Sequence, residues 1–241
     1  MKIFIDAFGD IALLCIRQLF EKKDFNARDL LVRTYSINSN DNLIDYLKDK
    51  EINYFITDYD ELSIEKIISF KPEFVLSLFA RVLIPKEVVD CAKYSMNLHP
   101  SLLPNYKGCF SVPWVIINDE KETGITFHEI SERFDEGRTI FQKSCKISTK
   151  DTAQSLYSKI NFMFFKYFLR VFDDYINGFL LPTDQLKVIG SYYPRKLPYD
   201  GIVDTSWDNM MVDRFIRAMF YPPFTPAVNF KEKIETGKVT Y

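Results

Sequence analysis

The 241-residue sequence predicts an α/β fold: a mostly parallel sheet with helices on both faces, followed by a small β-rich C-terminal appendage. Three observations carry that expectation. Short β-branched and aromatic runs alternate with amphipathic helical patterns through residues 1–100, the signature of strands joined by helical crossovers. Beyond residue 110 come two alternating runs around a turn, then one long helical stripe. From about residue 190 onward prolines cluster among aromatics, at Pro194, Pro198, Pro222, Pro223 and Pro226.

In chain order, residues 2–5 read as a strand and 11–20 as an amphipathic helix. A strand at 30–35 and a helix at 43–48 follow, then a strand at 53–57 and a helix at 64–70. The strand 74–79 and a brief helix at 85–91 lead to a strand ending at Met96 and Asn97. Residues 110–118 look helical with Pro113 in the first turn, and 124–130 and 139–147 read as antiparallel strands around the loop 131–138. The clearest helix is 152–176. Asp151 stands as N-cap with Gln154 three residues on, Asn177-Gly178 supplies the stop, and Leu156, Ile160, Phe164, Phe168 and Val171 recur at helical spacing. One short helix, 209–219, is expected in the tail. These patterns divide the chain into a body, residues 1–188, and a short C-terminal subdomain, residues 189–241.

Composition narrows the function. With 47% hydrophobic and 27% charged residues, the chain is globular, and 38 aromatic side chains can supply a core and a ring-lined pocket. A formal net charge of −2 argues against a nucleic-acid partner, which calls for a basic stripe. No apolar stretch reaches the ~20 residues that span a membrane, and Asp6 and Asp10 interrupt the N-terminal run, so a cytoplasmic protein with no membrane partner is expected. The cysteines, Cys15, Cys91, Cys109 and Cys145, show no C-x-x-C spacing and read as small buried hydrophobes in a reducing compartment. No metal is expected.

The two histidines, His99 and His128, restrict the choice of general base. His99 stands just past a predicted strand, two residues after Asn97, so in extended backbone a carboxamide and an imidazole share one face. The C-terminal edge of a parallel sheet is where such folds bind ligands. His128, mid-strand, reads as a structural histidine. Gly9 is the only glycine where G-x-G-x-x-G would be needed, so hydride transfer with a dinucleotide is disfavoured.

Residues 97–108, N-L-H-P-S-L-L-P-N-Y-K-G, resemble the folate-dependent formyltransferase family. A second stretch, G-I-T-F-H-E-I-S-E-R-F-D-E-G-R-T-I-F-Q at 124–142, resembles that family's downstream signature, and Pro113-Trp114 with Ile116-Ile117-Asn118 match between them. The resemblance implies a Rossmann-like catalytic domain with 10-formyltetrahydrofolate as formyl donor. It also implies a catalytic trio, with Asn97 donating to the oxyanion, His99 taking the amine proton and Asp135 orienting His99. It places the pterin between the strand end Arg81-Val82-Leu83 and the loop Ser131, Glu132, Arg133, Phe134 and Asp135.

The tail bears on the acceptor. From Gly190 on there are seven basic and six acidic side chains, too even a balance to grip tRNA. The segment Y-Y-P-R-K-L-P-Y-D-G-I-V-D is similar to the linker of sugar and tRNA formyltransferases, departing from it at Thr225-Pro226. The resemblance thus implies a nucleotide-linked deoxy amino sugar as acceptor, and the family alone suggests dTDP-4-amino-4,6-dideoxyglucose in surface polysaccharide (O-antigen, lipopolysaccharide) biosynthesis as the specific expectation. Candidate acceptor contacts are Phe8, Tyr106, Lys107, Tyr192, Arg195, Trp207 and Tyr221, with Tyr193, Tyr199, Phe224 and Lys196 as further rings and charge. The family also implies a homodimer formed through the tail. The alternatives are formylation of another small amine, such as glycinamide ribonucleotide, and a non-catalytic folate- or nucleotide-sugar-binding protein.

Overall fold

The computed structural model describes residues 1–21, 25–36, 41–186, 190–222 and 227–229. Its elements in chain order are β1 (Ile3–Ala7), α1 (Gly9–Phe20), β2 (Leu30–Arg33), α2 (Asp41–Asp49), β3 (Asn53–Phe55), α3 (Glu61–Phe70), β4 (Phe74–Leu78), α4 (Lys86–Asp90) and β5 (Tyr94–His99). They continue with β6 (Lys107–Gly108), α5 (Ser111–Ile117), β7 (Glu122–His128), β8 (Thr139–Lys146), α6 (Ala153–Ile176), β9 (Tyr192–Tyr193), β10 (Ile202–Val203), α7 (Asn209–Met219) and β11 (Val228–Asn229).

The predicted sheet is present. Seven strands lie in the order β3-β2-β1-β4-β5-β7-β8. The pairs from β3 to β5 are parallel, and β7 joins β5 antiparallel with Asn97 opposite His128 and His99 opposite Thr126. The chain order reverses between β1 and β4, so the switch point lies at their C-terminal ends. There the Phe8 N–H donates to Leu78 O at 2.9 Å. Both strands are buried along their whole length, as parallel strands covered on two faces must be.

The chain forms two compact units that interleave in sequence. The first comprises Met1–His99, Thr126–Gln142 and Met163–Leu186; the second comprises Pro100–Ile125, Lys143–Phe162 and Lys187–Tyr241. In the first, Phe4, Leu31, Ile67, Val75, Ile84 and Val88 form a core cluster, with Ile130 packed against it. Phe164, Phe168 and Phe172 of α6 are fully buried, and Phe172 meets Phe74 at 4.8 Å between ring centroids. Each such ring contributes about 3 kcal/mol of burial.

A charged pair is built into this first unit. Asp6 and Arg33 are register partners on β1 and β2, 0% and 1% exposed, with Arg33 NH1 3.0 Å from Asp6 Oδ2. The guanidinium lies between the rings of Tyr35 and Tyr59 at 4.6 and 4.4 Å and donates to Thr57 O at 2.7 Å. The Tyr59 hydroxyl donates to the same Asp6 oxygen at 2.7 Å. Burial pushes the Asp6 carboxyl up against the opposing pull of Arg33 and Tyr59, and burial beside that carboxylate raises the Tyr35 hydroxyl to about 12.

In the second unit, α7 spans Asn209–Met219, as its pattern predicts, and Arg214 Nε donates to Ile117 O at 3.1 Å. Trp114 stacks on Tyr193 at 4.4 Å and Tyr193 on Tyr106 at 5.6 Å. Gly108, at φ +84°, is required here, because a Cβ would stand 2.1 Å from Tyr193 O.

Several element ends differ from the sequence reading, β3 stopping at Phe55 and β7 spanning Glu122–His128 among them, and two differences have a clear physical reason. Helix α6 begins at Ala153, and its cap is Thr152 instead of Asp151. Thr152 Oγ1 accepts from Ser155 N at 3.2 Å while Ser155 Oγ accepts from Thr152 N at 3.0 Å. Asp151 instead accepts from Ser148 N, Ser155 Oγ and Lys159 Nζ. Strand β5 runs on through His99 instead of ending at Asn97, because Thr126 of β7 supplies a partner there. All four cysteine thiols are free.

Candidate active site

Asn97, His99, His128 and Asp135 belong to the same compact unit, and the geometry brings them together. Asn97 and His99 are fixed by strand periodicity on β5, and His128 is fixed opposite Asn97 by the β5–β7 register. His99 Nδ1 stands 3.3 Å from Asp135 Oδ1, and His128 Nε2 stands 3.5 Å from the same oxygen. His99, His128 and Asp135 are buried.

Backbone chemistry sets the tautomer of His128. Its Nδ1 lies 2.7 Å from Glu129 O, an acceptor only, so Nδ1 carries the proton and Nε2 presents a lone pair. Asn97 Nδ2 lies 2.9 Å from that Nε2 and must be the donor. The amide of Asn97 is thereby oriented, with one N–H spent on His128 and the second left to serve a ligand. His128 thus orients the Asn97 side chain, a contact that its mid-strand place in the sequence does not reveal.

Asp135 stands on the loop between β7 and β8 in the left-handed region, at φ +58°. The base of that loop is closed by Glu129 N–H donating to Arg138 O at 2.9 Å and by a bidentate Arg138–Glu129 pair at 2.7 and 3.0 Å. Gly137 is needed for close approach, because a Cβ there would fall 1.7 Å from Glu129 O.

The two expected walls of a pterin pocket lie side by side in this same unit. Lys86 Nζ, just past the 81–83 turn, meets Glu132 Oε1 at 2.9 Å, and Ile84 and Ile130 belong to one apolar cluster. Leu83 and Phe134 are 38% and 44% exposed, so each wall offers open apolar surface beside its backbone. Ser131 Oγ donates to Arg133 O at 2.8 Å and stiffens the second wall. A flat ring with an amide-like edge fits a site of exposed apolar side chains and backbone groups.

Phe8 and Arg81 meet at the sheet's switch point, the guanidinium lying 4.8 Å over the ring. Arg81 N–H donates to the Tyr35 hydroxyl at 2.8 Å. The remaining acceptor candidates belong to the second unit. Tyr106 is buried, its hydroxyl donating to Glu120 Oε1 at 2.6 Å and accepting from Asn118 Nδ2 at 3.1 Å, so it braces its own loop. Lys107 lies in β6, paired with Tyr192 of β9. Trp207 packs on Tyr199 and Phe215 at 4.8 and 5.1 Å, and Tyr221 on Tyr157 at 5.1 Å. Of these rings only Phe215 is buried; Trp207, Tyr157 and Tyr221 are half-buried and Tyr199 is exposed. Tyr192 and Arg195 are exposed, and Phe224 lies outside the described residues. Among the described residues, no group of three or more His, Cys, Asp or Glu side chains could hold a metal ion, and no helix is long and apolar enough to cross a membrane.

Residues 39–172, which include all four polar side chains of the site, match the family described as formyl transferase. The chain is 43% identical over 180 residues to GDP-perosamine N-formyltransferase from Brucella melitensis biotype 1, covering 72% of this chain and 65% of that one. This chain thus spans a little under two thirds of that relative's length. Among solved structures it resembles WlaRD, a sugar 3N-formyl transferase crystallised in the presence of dTDP and 5-N-formyl-THF, with a TM-score of 0.75, 25% identity, and coverage of 91% of this chain and 80% of that one. It shares its fold with a 4-N formyltransferase from Francisella tularensis, with a TM-score of 0.78, 22% identity, and coverage of 95% and 91%. The chain belongs to the formyl transferase family.

Proposed function

We propose that this protein transfers a formyl group from 10-formyltetrahydrofolate to the amino group of a nucleotide-linked deoxy amino sugar. The observation that carries the reading is the placement of His99 Nδ1 3.3 Å from Asp135, on the strand whose preceding same-face residue is the oriented Asn97. Asp135 at Nδ1 favours the tautomer protonated there, which makes Nε2 the basic nitrogen.

The folate supplies an activated formyl carbon. The amine nitrogen bonds to that carbon, the carbon's bond to N10 of the folate breaks, and N10 leaves with the electron pair and is protonated. The second N–H of Asn97 donates to the charge growing on the formyl oxygen. His99 removes the proton that the amine loses, and Asp135 stabilises the imidazolium. Leu83 and Phe134, with the backbone of 81–83 and 131–134, hold the pterin. Arg81 stays with the pterin wall, Phe8 beneath its guanidinium is the acceptor contact proposed in the first unit, and the exposed Tyr192 and Arg195 are the candidates proposed in the second.

For the acceptor, the 43% identical relative named for GDP-perosamine supports an amino sugar on a nucleoside diphosphate. The structure crystallised with dTDP keeps dTDP-4-amino-4,6-dideoxyglucose as the specific proposal, with GDP-perosamine its direct competitor. The setting proposed is surface polysaccharide (O-antigen) assembly in the cytoplasm, with residues 189–241 serving acceptor binding and the pairing of two copies. The test is incubation with 10-formyltetrahydrofolate and dTDP-, UDP- and GDP-linked amino sugars carrying the amine at C-3 or C-4, plus glycinamide ribonucleotide, followed by mass spectrometry. One formylated nucleotide sugar is expected. Formylation of glycinamide ribonucleotide alone, or folate binding with no product from any acceptor, would overturn the sugar reading.

A further inference from the structure

Gln185 lies beyond the end of α6, about fifty residues from Asp135 in sequence, yet it touches the loop that carries it. Its Nε2 stands 2.8 Å from Asp135 O and 2.8 Å from Gly137 O. Both partners are carbonyls, which only accept, so the amide nitrogen must face them and the orientation of the side chain is settled by chemistry. The cost of that orientation is visible. Gln185 Oε1 is buried and meets no hydrogen-bond partner among the described residues.

The segment that delivers Gln185 is itself anchored. Thr183 and Thr139 exchange backbone hydrogen bonds at 2.8 and 2.9 Å, tying it to the first residue of β8. The loop needs such support, because Asp135 is a non-glycine residue in the left-handed region and Gly137 rides directly against Glu129 O. The Arg138–Glu129 pair and the Glu129–Arg138 backbone bond secure only the base of the loop. Gln185 secures the residues on and beside the turn.

We infer that Gln185 is a positioning residue for formyl transfer: by donating to the carbonyls of Asp135 and Gly137 it fixes the backbone from which the Asp135 carboxylate reaches His99. The inference rests on the reading of Asp135 as a member of the transfer site. It makes no claim that Gln185 touches either substrate.

The test compares Gln185→Met, which keeps the volume and removes the donor, with Gln185→Glu, which keeps the shape and places an acceptor against two acceptors. Each is assayed with 10-formyltetrahydrofolate and the nucleotide sugar that gives product, alongside Asp135→Asn and thermal unfolding. Loss of alignment at a reacting centre costs about 10- to 100-fold, so both Gln185 variants should lose fivefold or more in kcat. KM for both substrates should stay within about threefold and Tm within about 5 °C. The acid limb of the kcat/KM profile should also move to lower pH as His99 loses its carboxylate at the set distance. A kcat for Gln185→Met within fivefold of native overturns the inference, as does a loss in both variants that merely tracks unfolding or a rise in KM. Full activity in Asp135→Asn would instead remove the reading of the site, whatever Gln185 does.

Discussion

Nε2 of His128 accepts a hydrogen bond from the Asn97 amide at 2.9 Å because its Nδ1 proton is claimed by Glu129 O. The acceptor is made by the neighbouring backbone, and the donor it holds is the group assigned to the formyl oxygen. Removing the imidazole frees the amide to rotate. Asn97→Ala should lower kcat about 10²- to 10³-fold, the usual effect of losing one oxyanion donor. His128→Ala should lower it less, by about 10- to 100-fold. The double variant should resemble Asn97→Ala alone, since both act through one hydrogen bond. Steady-state kinetics of the three variants checks this, and additive losses would show that His128 acts independently of Asn97.

His99→Ala tests the base separately from the cradle. Removing a general base costs about 10²- to 10⁴-fold in rate. The proposed folate walls are the backbone of 81–83 and 131–134, so binding of 5-formyltetrahydrofolate, followed by fluorescence, should change by less than about threefold. A variant that binds folate and turns over at the native rate would remove His99 from the chemistry.

The Asp6–Arg33 pair should be worth far more than the ion pairs on the surface. Both groups are buried, so deleting one leaves the other uncompensated, at about 3–5 kcal/mol. For Arg33→Ala, calorimetry should show Tm falling by about 10 °C. Replacing both partners with apolar residues, Asp6→Leu with Arg33→Met, should recover much of the loss.

Asp151 links stability to pH. Burial pushes its carboxyl up, but the hydrogen bonds from Lys159, Ser148 N–H and Ser155 outweigh that and hold it below the ordinary value. A carboxyl lower in the folded than in the unfolded chain stabilises above the unfolded value, about 3.9. That contribution is lost as pH falls through the folded value. Asp151→Asn should therefore cost about 1–3 kcal/mol at pH 7. The gap in unfolding free energy between the two proteins should close below about pH 4. A gap unchanged at pH 3 would assign Asp151's contribution to packing.

Much of this was legible in the sequence wherever one physical rule acted alone. Helix α7 begins and ends where its periodicity and its Asp208 cap dictate, and Asp208 Oδ1 accepts from Met211 N at 2.7 Å. Two rules competed at the start of α6. Asp151 and Thr152 are both capping residues; Thr152 found Ser155 as reciprocal partner, and Asp151 was drawn to Ser148 and Lys159. The end of β5 leaves no local signal, because the partner that extends it, Thr126, arrives from a distant strand. Strand periodicity places Asn97 and His99 on one face, and Asp135 joins them only through the family resemblance, whereas the contact of His128 depends on a cross-strand register and that of Gln185 on a tertiary approach. Neither leaves a local pattern. The Asp6–Arg33 pair did leave a trace, a charge near the end of each of two apolar strands, but only their parallel register turns it into a contact.

Asn97 and His99 are attached to a strand hydrogen-bonded on both sides, whereas Asp135 rides on a turn tethered from outside. The proposed site thus has one half built into the sheet and one half held on a turn. Breathing of the hairpin tip would alter the carboxylate's distance from His99 while leaving the amide and imidazole where the sheet puts them. A redesign aimed at the carboxylate's distance could therefore vary the turn and its Gln185 tether while leaving β5 untouched.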